Sequence, residues 1–73
     1  MSKLPVISGQ QLVKVLKQVG FQFDRQRGSH MILFRTEPPA MLSVPDHREL
    51  DRGTLRALLR QAEMSPSQLA DLL

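Results

Sequence analysis

The spacing of the apolar residues changes once, early in the chain, and this change constrains the fold more than any other feature. From Leu12 to Val19 the apolar side chains recur at the three- and four-residue intervals of a helix that buries one face. After Gly20 the interval becomes two, because Phe21 and Phe23 alternate with polar residues. The sequence therefore predicts a helix followed directly by β-structure.

Both ends of the predicted helix carry local signals. Ser8 is a predicted N-cap, and Gln11 three residues later completes a capping box, in which each side chain accepts from the other residue's backbone N–H. Gly20 is the predicted stop, because glycine readily takes the left-handed conformation that ends many helices.

Three short strands are predicted after this helix. Residues 21–27 form the first, and residues 30–35 alternate as the second. Residues 36–39 contain two prolines, which cannot continue a central strand and so predict a turn. Residues 40–44 alternate again as a third strand, closed by Pro45. This order indicates an antiparallel meander.

The second half of the sequence predicts two further helices. Residues 46–50 form a polar loop, and Asp51 is a credible N-cap for a helix from Arg52 to about Ala62. Ser65 and a proline at the first helical position then open a short final helix. Arginines spaced four apart on the longer helix share one stripe, which is available to phosphate or acidic groups: Arg52, Arg56 and Arg60.

The predicted fold class is α+β, as one domain over residues 1–73. The order is α-β-β-β-α with a short extra C-terminal helix. Two amphipathic helices then cover one face of a three-stranded antiparallel sheet and leave the other face open. Double-stranded-RNA-binding domains share this layout.

Composition indicates a cellular location and the kind of ligand that the protein binds. The chain has no cysteine, which fits a reducing cytoplasm and excludes disulfides, and no apolar run approaches the ~18 residues of a membrane-spanning helix. We expect a cytoplasmic location. The net charge is +3, and seven of the ten cations are arginines, which suit phosphate. A core this small is compatible with a homo-oligomer or a hetero-oligomer.

The strongest candidate for chemistry is His30, which follows Arg27-Gly28-Ser29 at the entry to the second strand. Either Arg27-Gly28 or Gly28-Ser29 forms a tight turn. An imidazole can transfer a proton at neutral pH, while turn N–H groups, a serine hydroxyl and an arginine can bind a phosphate. The motif alone leaves open whether His30 is catalytic or an ordinary half-exposed residue.

A metal site in the polar loop is the weaker alternative. Its four potential ligands are Asp46, His47, Glu49 and Asp51, but they match no recognised ligand spacing, and Asp51 is better used as a cap. We therefore predict no metal and no cofactor. His47 is interpreted as an RNA contact instead.

Three segments together resemble the HicA toxin family, also called YcfA-like. Residues 8–16 with Gly20-Phe21 resemble its first helix and strand start, and Arg27-Gly28-Ser29-His30 resembles its short basic-Gly-Ser-His signature. Residues 44–47, 53–56 and 59–62 resemble its last strand, loop and second helix. One departure is Glu63, which stands where the family often has glycine after the second helix, and this puts the helix cap in doubt.

The resemblance implies a toxin that cleaves mRNA without metal or ribosome, with His30 as the catalytic residue and a HicB antitoxin as partner. The residues expected to contact RNA are Arg25, Arg27, Gly28, Ser29, His47, Arg48 and Arg52. Two alternatives remain: a non-catalytic RNA-binding module that uses the same basic surface, and an adaptor whose open sheet face docks another protein.

Overall fold

The computed structural model describes residues 4–73 and has the predicted α+β architecture, with element order α-β-β-β-α-α. The elements are α1 (Gly9–Gln18), β1 (Gln22–Arg27), β2 (His30–Thr36), β3 (Pro39–Pro45), α2 (Arg52–Gln61) and α3 (Pro66–Leu72).

The three strands form one antiparallel sheet in the order β1-β2-β3, so β2 is central. Its first residue, His30, pairs with Arg27 on one side and Pro45 on the other. A bulge between Phe23 and Arg25 interrupts the β1–β2 register. This irregularity shifts the alternation of β1 by one residue relative to β2.

The helices pack against one face of the sheet, as predicted. Alternate residues of β2 and β3 are buried and join the apolar residues of the helices in one core: Met31, Leu33, Leu42 and Val44. Helix α1 contacts β1 and β3, α2 contacts β3, and α3 packs on α1. No described helix covers the opposite face, where Met41 is 67% exposed and Phe34 is half-buried. We call this side the outer face of the sheet.

The predicted signals at both ends of α1 are confirmed. The Ser8 hydroxyl accepts from the Gln11 N–H, and the Gln11 side chain accepts from the Ser8 N–H. At the other end Gly20 has a φ of +100°, and the Phe21 N–H donates to the Leu16 carbonyl. This bond spans the last turn of the helix, as in the common glycine-terminated helix end.

The strand boundaries differ from the prediction by one residue. Strand β1 begins at Gln22 and not at residue 21, β2 extends to Thr36, and β3 runs from Pro39 to Pro45 and not over residues 40–44. Pro39 is tolerated because it is the first residue of an edge strand. Leu50 was placed in a polar loop, yet it is buried, and its N–H donates to the Ile7 carbonyl at 2.8 Å. The loop is therefore anchored to the core immediately before α2 begins.

Helix α2 ends without the glycine often found in the family. Glu63 itself adopts the left-handed conformation with a φ of +57°, and the Met64 N–H donates to the Leu59 carbonyl at 2.9 Å. The helix end therefore keeps the left-handed cap conformation, although this conformation is sterically unfavourable for a residue that has a Cβ.

Arg35 joins the end of α2 to the sheet from the core side. Its guanidinium lies 4.6 Å from the centre of the Phe21 ring. It donates to the carbonyls of Pro38 at 2.9 Å and Ala62 at 3.5 Å and pairs with the Glu63 carboxylate at 3.4 Å. The side chain is only 11% exposed, so these partners satisfy a charge that is largely removed from water.

Candidate functional site

Three segments meet at one end of the sheet. The β1–β2 turn, the residues after β3 and the start of α1 are joined by backbone hydrogen bonds. The Asp46 N–H donates to the Ser29 carbonyl at 2.7 Å, and the Gly9 N–H donates to the His47 carbonyl at 2.9 Å. This end of the molecule therefore places the His30 turn beside the loop that carries His47.

The β1–β2 connection is a two-residue turn made by Gly28 and Ser29, which settles the two alternatives left by the sequence. Gly28 has a φ of +61°, whereas Ser29 has no positive φ. Glycine at the first central position with positive φ is the pattern of a type II′ turn. Both residues are exposed, although their carbonyls accept hydrogen bonds from the Gln26 side chain and the Asp46 N–H.

His30 is exposed and lies on the outer face of the sheet, at the edge where the turn begins. Its ring is therefore accessible to a ligand and is not part of the hydrophobic core. Directly paired residues share a face of the sheet, which places Arg27 beside His30. Pro45, which is paired with His30 on the other side, carries no charge.

The two arginines of β1 are exposed on the same face. Arg25 is paired across the strands with Ile32, two residues along β2 from His30, and forms an ion pair with the neighbouring Asp24. Within residues 4–73 no ion pair is formed by Arg27. Arg27 is therefore the uncompensated cation closest to His30 in the sheet register.

The second loop contributes His47 and Arg48, both of them exposed. With Ser8, Gln10 and Asp46 they line a shallow pocket of about 200 Å³ beside the start of α1. Asp46 connects this pocket to the turn through its N–H bond to Ser29. The structure thus brings the turn and the second loop together.

Arg52 belongs to a different surface feature. It is the exposed first residue of α2 and lines a separate cleft together with Glu49 and the segment from Leu4 to Val6. The arginine stripe continues from it along the exposed side of α2 through Arg56 and Arg60. This stripe leads away from the sheet, because α2 packs on the covered side and His30 lies on the outer face.

The family is decided by a comparison with models of known families. Residues 9–64 match the model described as HicA toxin of bacterial toxin-antitoxin. The chain belongs to the HicA toxin family. A search of curated proteins finds no match.

The HicA match runs from the first residue of α1 to Met64 and so includes the whole sheet and α2. It contains the turn, His30 and the second loop, and it ends before α3. This confirms the resemblance that the sequence segments indicated. It also places the chain among the toxins of toxin–antitoxin systems, in which the implied partner is an antitoxin.

Two other classes of feature are absent from the described residues of this HicA-family chain. Among residues 4–73 no helix is long and apolar enough to cross a membrane. Over the same residues no three His, Cys, Asp or Glu side chains are grouped closely enough to hold a metal ion. Asp51, one of the potential loop ligands, accepts from the Thr54 N–H at 3.1 Å and caps α2.

Sequence reasoning missed one set of residues in this HicA-family site. Gln26 and Gln10 were given no role, and Asp46 was considered only as a metal ligand. In the structure the side chains of both glutamines donate to the Asp46 carboxylate. No sequence signal marks this set, because its members lie 16 to 36 residues apart and have ordinary surface side chains.

Proposed function

We propose that this HicA-family toxin is a metal-independent endoribonuclease that cleaves mRNA, with His30 as the catalytic residue. The observation that carries the proposal is the exposed imidazole of His30 on the outer face of the sheet, directly paired with Arg27. Proton transfer and stabilisation of charge on the phosphate are the two requirements of RNA cleavage by the ribose 2′-hydroxyl. One histidine and one arginine supply both.

The chemistry assigned to His30 is a single proton transfer. The 2′-oxygen attacks the adjacent phosphorus, a new O2′–P bond forms and the P–O5′ bond breaks. His30 either accepts the proton from the 2′-hydroxyl, with water protonating the leaving 5′-oxygen, or donates a proton to the 5′-oxygen, with water accepting the proton of the 2′-hydroxyl. The products are a 2′,3′-cyclic phosphate and a 5′-hydroxyl end.

The surrounding residues bind the phosphate and the flanking RNA. In this proposal Arg27 and the Gly28–Ser29 turn contact the scissile phosphate, since glycine allows close approach of the backbone and Ser29 has an exposed hydroxyl. The flanking RNA backbone is contacted by Arg25, His47 and Arg48, and also by Arg52 from the separate cleft at the start of α2.

The decisive experiment compares wild type and His30→Ala on a purified mRNA fragment in EDTA, followed by analysis of the RNA ends. Wild type should release cyclic phosphate ends, while His30→Ala should lose cleavage with a nearly unchanged melting temperature, because an exposed side chain contributes little to stability. His47→Ala, at the other histidine, is the matched control and should keep the wild-type kcat with only a higher KM, because we assign His47 an RNA contact and no proton transfer. Cleavage by His30→Ala would remove the assignment, and loss of wild-type activity in EDTA would favour a metal mechanism.

The same experiment separates the ribonuclease from a non-catalytic RNA-binding module. Such a module would bind RNA in a salt-dependent manner and leave it intact after long incubation. The His30→Ala variant would then behave like wild type.

The outer face also suits a protein partner, for which we propose a HicB-type antitoxin. Met41 is 67% exposed there, and the half-buried Phe34 lies directly across the strands from it. Apolar side chains beside a basic site are typical of a surface that a partner covers. An antitoxin bound there would block access to His30, so the adaptor alternative and the toxin function share one surface.

A further inference from the structure

Asp46, the residue after β3, joins three separate segments of the chain. Its N–H donates to the Ser29 carbonyl at 2.7 Å. Its carboxylate accepts from the Gln10 side chain of α1 at 3.2 Å and from the Gln26 side chain of β1 at 3.5 Å. The residue is half-buried, and among residues 4–73 no lysine or arginine forms an ion pair with it.

Gln26 extends these contacts to the turn that carries His30. The same amide nitrogen that faces Asp46 donates to the Gly28 carbonyl at 3.1 Å. Both carbonyls of the two-residue turn are therefore held, that of Gly28 by Gln26 and that of Ser29 by the Asp46 N–H. We call Gln10, Gln26 and Asp46 the latch.

The Gly28 carbonyl belongs to the peptide group that distinguishes the two primed turn types. Type I′ and type II′ turns differ mainly by a flip of this central peptide, and type I′ also requires a positive φ at the second residue. Because Gln26 bonds the carbonyl, it favours the observed orientation, in which Ser29 has no positive φ. The C=O and N–H of a trans peptide point in opposite directions, so the Ser29 N–H is directed away from Gln26.

The Asp46 carboxylate is an acidic group beside the turn that is proposed to bind phosphate. A carboxylate beside a phosphate-binding turn opposes the binding of RNA, because like charges repel. Its presence next to the exposed arginine-rich turn is explained if its oxygens are needed to orient Gln26. The two glutamine amides provide the hydrogen bonds that an unpaired, half-buried carboxylate requires.

We propose that Asp46 is a positioning residue for RNA cleavage, which acts through Gln26 to fix the peptide orientation of the Gly28–Ser29 turn. The inference rests on the proposed ribonuclease function. In this proposal the latch residues do not contact the scissile bond. The latch instead raises the fraction of molecules in which the turn N–H group and His30 are arranged for reaction.

The test measures kcat and KM for cleavage of a short RNA by Asp46→Ala, Gln26→Ala and the double variant. Displacement of a reacting group by a fraction of an ångström costs about tenfold or more, so kcat should fall about tenfold in each single variant. KM should change by less than about twofold, because the arginines that bind RNA remain. The double variant should lose no more than either single one, since both changes break the same chain of contacts.

Two controls separate positioning from general destabilisation. Gln22→Ala removes an exposed glutamine of the same strand that makes no side-chain hydrogen bond to the described residues, and it should leave kcat unchanged. Amide hydrogen exchange at residue 46, whose N–H donates to the Ser29 carbonyl, is followed by NMR and should quicken in Asp46→Ala and Gln26→Ala while the exchange of core amides stays the same.

The outcomes distinguish this proposal from the proposed function. If wild type cleaves RNA and the latch variants keep its kcat, the positioning role is wrong. If wild type does not cleave RNA, the ribonuclease function fails, and the latch is judged by amide exchange at residue 46 alone. Unchanged exchange in Gln26→Ala would overturn the latch in that case too.

Discussion

The Cα of Gly9 lies so close to Pro45 that a Cβ built on it would be 2.0 Å from the Pro45 carbonyl oxygen. This contact packs the first turn of α1 against the end of β3, next to the loop that carries His47. The obstructing atom belongs to the backbone, so it can move away only if the end of β3 moves.

We therefore expect Gly9→Ala to destabilise the protein by about 2 kcal/mol, although alanine is the better helix former. Urea denaturation followed by circular dichroism measures the change. Gly53→Ala is the matched control, because its Cβ would approach only the Asp51 Oδ2 atom, at 3.1 Å, and this side-chain oxygen needs to shift by only a few tenths of an ångström. Equal stability of the Gly9→Ala variant and wild type would contradict the close contact.

The turn glycine Gly28 makes a different prediction, because a Cβ on it would meet no atom within 4 Å. Only its positive φ of +61° opposes a side chain. Gly28→Ala should therefore cost about 1 kcal/mol through backbone strain alone. In a chemically synthesised chain, D-alanine at this position should restore wild-type stability, because a D-residue favours positive φ. If both substitutions destabilise equally, crowding rather than strain is responsible.

The parts of the structure that were predicted from sequence depend on short-range signals. Ser8 and Gln11 form the predicted capping box because all of its atoms lie within four residues. The alternation of residues 30–35 gave the correct faces, with His30 on the open side. The family match agrees with the segments that carried the resemblance.

The parts that were not predicted depend on contacts between distant segments. The burial of Leu50 requires the chain near Ile7 to lie alongside it, and no local pattern encodes that. Likewise, the Asp46 carboxylate meets Gln26 only because the β1–β2 turn and the end of β3 come together. The sequence could identify the turn as a candidate site but could not show what holds it.

Glu63 offers a prediction about the departure from the family pattern. Substitution by glycine removes the strain of its φ of +57° and the ion pair to Arg35, in which the Glu63 side chain is 71% exposed and the Arg35 side chain 11%. The contact is 3.4 Å long and open to water on the Glu63 side, and Arg35 keeps its two carbonyl bonds, so loss of the pair should cost only about 0.5 kcal/mol, whereas the left-handed conformation costs a non-glycine residue about 1–2 kcal/mol. After the extra flexibility of glycine in the unfolded chain is subtracted, Glu63→Gly should stabilise by about 0.5 kcal/mol.

Thermal and urea denaturation of the Glu63→Gly and Glu63→Gln variants test the predicted change in stability. The glutamine variant keeps the strained backbone and loses only the charge, so its stability should stay within about 0.5 kcal/mol of wild type. A destabilised glycine variant would show that the ion pair outweighs the strain.

Arg35 should not tolerate replacement by lysine. Its guanidinium donates to two carbonyls and lies over the Phe21 ring, and a single ammonium group cannot reproduce these contacts. Arg35→Lys should lower the free energy of unfolding by about 1–2 kcal/mol, because the carbonyls lose charge-assisted bonds. Arg60→Lys, on the exposed side of α2, is the control and should change it by less than about 0.5 kcal/mol. If Arg35→Lys is as stable as wild type, only the aliphatic part of the Arg35 side chain contributes to stability.

The proposed RNA interface makes a prediction about salt dependence. Each phosphate neutralised on a single strand contributes about 0.7 to the slope of log affinity against log salt concentration. Arg27→Gln should therefore weaken binding of a 2′-O-methyl RNA, which cannot be cleaved, and reduce the slope by about 0.7. Lys17→Gln makes the same change of charge at the far end of α1, an exposed position away from the turn, and should leave the slope unchanged. Equal reductions in both variants would indicate that RNA senses only the net charge, whereas a change confined to Arg27→Gln locates a phosphate beside His30.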